Sequence, residues 1–140
     1  NLSKKGKKKQ KLNFKSLGFK FKKNSKNNIE KKIIYEPSPY TDFNGAGLFY
    51  FASYPTVSDT IVRKLVNNKK LCNLGDDWAT KTSTISRTIF YHGNLNLGEK
   101  LILKINEIFQ KKNKFYIHTI LETKSNKKKL SDIFTVKKII

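Results

Sequence analysis

The spacing of apolar and polar positions changes character along this chain, and each change marks a predicted element. Ile33-Ile34-Tyr35 is short, apolar and strand-prone, and Pro37 and Pro39 end it. From about Leu48 to Val66, residues Leu48, Phe51, Ala52, Pro55, Val62, Leu65 and Val66 approximate one face of a helix. Pro55 lies inside that stretch and predicts a kink or break, because proline lacks an N–H and its ring crowds the preceding turn. Asn67-Asn68 predicts the helix stop, with a loop to Gly75. From Thr82 the period falls to two, and Ile85, Arg87, Ile89 and Tyr91 share one strand face. A turn at Gly93 to Gly98 precedes Leu101, Leu103 and Ile105, and Ile108 and Phe109 extend that strand. A turn at Lys111 to Lys114 leads into Phe115 to Leu121, which is apolar on both faces, as a central strand is. Ser125 to Lys129 turns again, and Ile133 to Ile140 closes the set.

One short strand, one long helix and four strands in a meander predict an α+β fold. The short turns imply antiparallel neighbours, and a single helix must pack on one face of the sheet. The hydrophobic share of 37% in 140 residues supports one domain with a modest core.

Charge adds a second region. Lys and Arg number 30 against 10 Asp and Glu, a formal +20, and so much like charge calls for a polyanion nearby. Codon bias in an AT-rich genome accounts for Lys over Arg but not for the shortage of acids. Residues 1–32 hold 13 lysines and one acid, Glu30, and therefore +12 of the +20. Such a segment cannot bury enough apolar surface to fold alone. The chain therefore divides into a basic arm, 1–32, and a folded part, 33–140. Phe14, Phe19 and Phe21 interrupt the arm's lysines, and Phe19 and Phe21 alternate with Lys20 and Lys22. That alternation suits an extended segment, one face stacking on bases or docking on protein and the other meeting phosphates. The expected RNA contacts are Lys4, Lys5, Lys7, Lys8, Lys9, Lys11, Phe14, Lys15, Phe19, Lys20, Phe21, Lys22 and Lys23, joined by the loop-tip lysines Lys127, Lys128 and Lys129.

Several chemistries are excluded. The single cysteine, Cys72, rules out an intrachain disulfide and any cysteine-cluster metal site. No Walker-type loop, Rossmann turn or zinc-ligand pattern is present, so neither a metal nor a cofactor is expected. No apolar run is long enough to span a bilayer. The chain opens at Asn1 rather than a methionine, as a fragment or processed product would, and its first residues lack the arginines of an organellar presequence. His118 is expected as a hydrogen-bonded core or interface residue, and His92 at a strand end facing solvent. Arg87 is expected to pair with Asp42 or Asp59, or to hold a phosphate. Trp78 is expected to plug the end of the core.

The order of elements, with a helix wrapped by a curved antiparallel sheet, resembles the hot-dog arrangement. Asp42-Phe43-Asn44-Gly45 resembles the turn leading into the central helix of 4-hydroxybenzoyl-CoA-thioesterase-like proteins. The stretch Asp42 to Tyr54, DFNGAGLFYFASY, looks similar to a segment of the leinamycin-type acyltransferase/decarboxylases, a double-hot-dog family. Ser86 to Asn94, SRTIFYHGN, followed by Gly98-Glu99-Lys100-Leu101, resembles the first strands after the helix in both groups. The resemblance covers roughly Tyr35 to Ile140 and leaves room for one such domain. It implies a thioester pocket in which Asp42 is base or nucleophile and the N–H groups of Gly45 to Gly47 polarise the carbonyl. The alternative is that Asp42 only caps its turn, while Gly45 and Gly47 allow a close approach to the sheet.

Two functions of different classes follow. In the first, favoured by the charge, a recruited hot-dog domain is a non-catalytic RNA-binding component of an organellar, mitochondrial ribosome, contacting rRNA and neighbouring proteins. In the second, it is a thioesterase or acyltransferase on acyl-CoA or acyl-carrier-protein thioesters, working as a hot-dog homo- or heterodimer.

Overall fold

A computed structural model describes residues 14–16, 19–21, 32–38, 53–69, 73–74 and 77–140. Strand β3 (Lys32–Tyr35) is followed by helix α1 (Ser53–Lys69), the single-turn helix α2 (Trp78–Lys81), and strands β4 (Thr82–Tyr91), β5 (Leu101–Lys111), β6 (Lys114–Thr123) and β7 (Lys129–Ile139). These five strands form one antiparallel sheet in the order β3-β5-β6-β7-β4. Within the arm, β1 (Phe14–Ser16) and β2 (Phe19–Phe21) pair as a hairpin, Phe14 opposite Phe21 and Lys15 opposite Lys20.

The predicted meander holds for β5, β6 and β7 and fails for β4. The edge of β5 that a β4–β5 hairpin would use is taken by β3, from Lys32↔Lys104 to Tyr35↔Leu101. Strand β4 therefore pairs with β7 at the far edge. Segment 92–100 can extend to about 30 Å, and the three strand spacings it crosses amount to about 14 Å. Glycines at both ends of that segment read the same for a hairpin as for a crossing.

Helix α1 buries Tyr54, Val57, Ser58, Ile61, Val62, Leu65 and Val66, the three–four alternation of one helical stripe. Pro55 does not break it. It sits in the first turn, where backbone N–H groups have no intrahelical partner to lose. The helix runs past Asn67-Asn68 to Lys69, and the expected start at Leu48 lies outside the described residues.

The stripe packs on the sheet face formed by Leu101, Leu103, Ile105, Phe115, Ile117, Leu121 and Ile133. Trp78 closes one end of this core, edge-on to Phe115 at 4.9 Å between centroids. A bulge lies between Ile105 and Glu107 in β5, and another between Thr84 and Ser86 in β4. Each adds a residue to one strand and bends the sheet around the helix.

Alternation places Tyr116, His118, Asp132 and Phe134 on the opposite face. A second apolar cluster forms there, and at its centre is Phe21 of the arm, 1% exposed. Its ring meets Phe134 at 5.1 Å, Tyr116 at 6.2 Å and His118 at 6.5 Å, all edge-on. Thus the arm, expected to end where the fold begins, supplies part of the fold's second core.

Candidate active-site region

The start of α1 fixes one end of the sheet. Tyr54, on its first turn, donates its hydroxyl hydrogen to the carbonyl of Gly93 at 3.2 Å and stands edge-on to Tyr91 at 5.0 Å. Burial, with Tyr91 adding to it, pushes the Tyr54 hydroxyl up to about 12. Burial also raises Tyr91. Tyr54 therefore remains a donor at any ordinary pH and pins the helix start beside the exit of β4. Asp42, Gly45 and Gly47 lie outside the described residues, a few positions before this start.

The β6–β7 turn brings lysines to the same end. Lys127 occupies the left-handed region at φ 55°. Lys128 crosses Gly93 so closely that a Cβ there would stand 3.1 Å from its Cε. Lys129 reaches Asp132 at 3.4 Å. Of the expected RNA contacts, then, Lys129 is engaged within the fold and Phe21 is buried in it. Lys4, Lys5, Lys7, Lys8, Lys9, Lys11, Lys22 and Lys23 lie outside the described residues.

The two histidines converge on one carboxylate that sequence reasoning did not single out. Asp132 accepts from Nε2 of His118 on one oxygen and from Nε2 of His92 on the other, each at 2.8 Å. Nδ1 of His118 lies 2.9 Å from the side-chain amide nitrogen of Asn106, at the bulge of β5. The His118 ring lies flat on Phe134, 4.2 Å and 14° apart. Burial alone would raise the Asp132 carboxyl. The hydrogen bonds from His118 and His92, with charge on His118 and Lys129, outweigh it and bring the group to about 2. His118 is thus the hydrogen-bonded buried residue expected, and His92 is exposed at the strand end as expected while also bonding Asp132. The available signal was a lone aspartate within the otherwise uncharged run of β7, LSDIFTV. Among the described residues, no group of three or more His, Cys, Asp or Glu side chains is arranged to hold a metal.

On the helix side of the sheet, Arg87 of β4 pairs with Asp59 of α1, one of its two expected partners. Its Nε donates to the Thr135 hydroxyl at 3.3 Å. Ser58 and Thr119 share a 3.1 Å hydrogen bond between helix and central strand.

No protein-family profile matches the chain, and no curated protein matches it. Solved structures do. A 1,4-dihydroxy-2-naphthoyl-CoA thioesterase from Synechocystis superposes with a TM-score of 0.64 at 17% identity, over 78% of this chain and 82% of that one. A Staphylococcus aureus protein in complex with CoA superposes at 0.65 and 12% identity, over 82% and 72%. A 4-hydroxybenzoyl-CoA thioesterase variant bound to 4-hydroxybenzoyl-CoA superposes at 0.64 and 12% identity, over 78% and 84%. The fold is the hot-dog fold. In this hot-dog domain α1 is the wrapped helix, and β4 and β3 are the two edges of the sheet. Residues 42–47, which carry part of the sequence resemblance, precede the helix end pinned by Tyr54 in the chain and lie outside the described residues. No helix among the described residues is long and apolar enough to cross a membrane.

Proposed function

We propose that this hot-dog domain is an acyl-thioester hydrolase acting on acyl-CoA or a carrier-bound acyl group. The observation that carries the reading is the strand order β3-β5-β6-β7-β4 closed around α1, an arrangement shared with thioesterases of the same fold. In this reading Asp42 accepts a proton from a water that attacks the thioester carbonyl carbon. The N–H groups of Gly45 to Gly47 hold the resulting oxyanion, the C–S bond breaks, and the sulfur leaves as a thiol after taking a proton.

The edge strand β4 bears on whether one copy suffices. Its ten residues, TSTISRTIFY, contain no lysine, proline or acid, although the chain has 30 Lys and Arg. Edge strands normally carry such residues to prevent pairing. In this reading β4 pairs with β4 of a second copy and completes the pocket between two domains.

Hydrolysis of an acyl-CoA panel by the wild type and by Asp42→Ala tests the proposal. The expected result is turnover by the wild type that falls about 10²–10⁴-fold in the variant. Absence of wild-type turnover on CoA and carrier thioesters, or an unaffected variant, overturns it.

The formal charge of +20 favours a second reading, an RNA-binding component of an organellar ribosome. Against it stands Phe21, whose ring packs on its own sheet rather than being offered to a base.

A further inference from the structure

Lys137 of β7 is 8% exposed, on the helix side of the sheet. Burying an ammonium is costly unless an anion or several acceptors compensate it. Its Nζ stands 5.8 Å from the centroid of the Trp78 ring, and it has no hydrogen bond or ion pair among the described residues. Burial pushes its proton off, Asp59 opposes this, and Arg87 adds to it. The nearby carboxylate is already committed, since Asp59 Oδ1 receives Nη2 of Arg87 at 2.5 Å.

The register explains the convergence. Arg87 lies directly opposite Thr135, and Lys137 follows Thr135 by two residues on the same strand face. Two cations thus stand near one carboxylate that is itself 42% exposed, leaving an excess of positive charge beside it. Nη1 of Arg87 and the Lys137 ammonium supply donors without acceptors among the described residues, and the Thr135 hydroxyl, two residues before Lys137 on the same strand face, accepts from Nε of Arg87. A tetrahedral oxyanion matches that demand: it accepts several hydrogen bonds at once and cancels the excess charge.

We propose that Arg87, Thr135 and Lys137 form a phosphate-binding site between edge strand β4 and helix α1, taking a pyrophosphate or phosphate-monoester group. The site does not depend on chemistry at Asp42, so it stands or falls separately from the hydrolase reading. The phosphate could belong to a free inorganic anion or to the nucleotide end of a CoA-type carrier, and both present the same group.

Trp78 is the only tryptophan in the chain, so its emission reports on this site. Inorganic pyrophosphate, CoA and dephospho-CoA are titrated into the full chain at constant ionic strength, followed by Trp78 fluorescence and by calorimetry. Saturable binding is expected, weakened about tenfold or more by Lys137→Gln and by Arg87→Gln and little changed by Lys112→Gln. Lys137→Met keeps the apolar stem packed on Trp78 and carries the same test if Lys137→Gln does not fold. CoA binding more tightly than pyrophosphate assigns the phosphate to the carrier, whereas equal affinity assigns it to the free anion. Equal weakening by Lys137→Gln and by the exposed-turn variant Lys112→Gln would show a diffuse basic surface and overturn the site. So would undiminished affinity in Lys137→Gln or, where that does not fold, in Lys137→Met.

Discussion

His118 and Asp132, on adjacent strands of the face turned away from α1, share a 2.8 Å hydrogen bond in a buried setting. Asp132 is held at about 2 when folded, below its ordinary value of 3.8. A carboxyl lowered on folding contributes stability above its unfolded value and loses it as pH falls through the folded one. Asp132 therefore contributes about 2 kcal/mol near neutrality, lost between about pH 4 and pH 2. Urea denaturation of the wild type and Asp132→Asn across that range checks this. The variant should be less stable by roughly that amount at pH 7, and the gap should close on acidification. A gap independent of pH would mean that packing, not ionisation, makes Asp132 matter.

Phe21 supplies the central ring of the apolar cluster on this same face. Burying a phenylalanine side chain contributes about 1.5–3 kcal/mol, so Phe21→Ala should destabilise the chain by about that much. The loss should be local. Amide exchange should quicken in the β1–β2 hairpin while the helix-side centre of β6, at Ile117 and Thr119, stays protected. If the ring instead served mainly to stack on RNA, the substitution would weaken RNA binding and leave stability unchanged.

These two relationships mark the limit of what pattern reading reaches. Periodicity identified the β5–β6–β7 strands, because alternation in Leu101-Leu103-Ile105 and the apolar run around Ile117 follow directly from burial. It could not place β4. Whether Tyr91 leads into a hairpin or a crossing depends on which edge of β5 is free, and that depends on the distant pairing of Ile33 with Leu103. The same limit hid the candidate network. His92, His118 and Asp132 are far apart in sequence and meet only through the registers of β4, β6 and β7. The arm was legible as basic but not as structural, since Phe21, buried in the fold, has the same lysine-flanked context as a base-stacking residue. Asp42 was reached through a resemblance and lies outside the described residues.

Pro55 tests where α1 begins. Were α1 to begin near Leu48, Pro55 would be interior, and Pro55→Ala would stabilise the chain by about 3 kcal/mol. In the first turn of a helix starting at Ser53 no hydrogen bond is lost. The substitution then only loosens the unfolded chain's constraint, a destabilisation of about 0.4–1 kcal/mol. Thermal unfolding of the variant decides by its sign.

The unprotected edge of β4 gives the last prediction. Ile85 sits at the bulge of that edge between Thr84 and Ser86, an apolar side chain that is 45% exposed. If β4 pairs with its counterpart in a second copy, Ile85→Lys places two ammonium groups near the symmetric junction, where like charges repel. Sedimentation velocity should then show a dimer for the wild type and a shift toward monomer for the variant. Unfolding within each chain should change by no more than about 0.5 kcal/mol, since the residue is on the surface. The hydrolase reading adds a consequence: if the pocket is completed by the second copy, turnover should fall with the dimer and recover as protein concentration is raised. A wild type that is monomeric at every concentration, yet hydrolyses thioesters, would mean that one domain holds the whole site and that β4 is guarded by something other than itself.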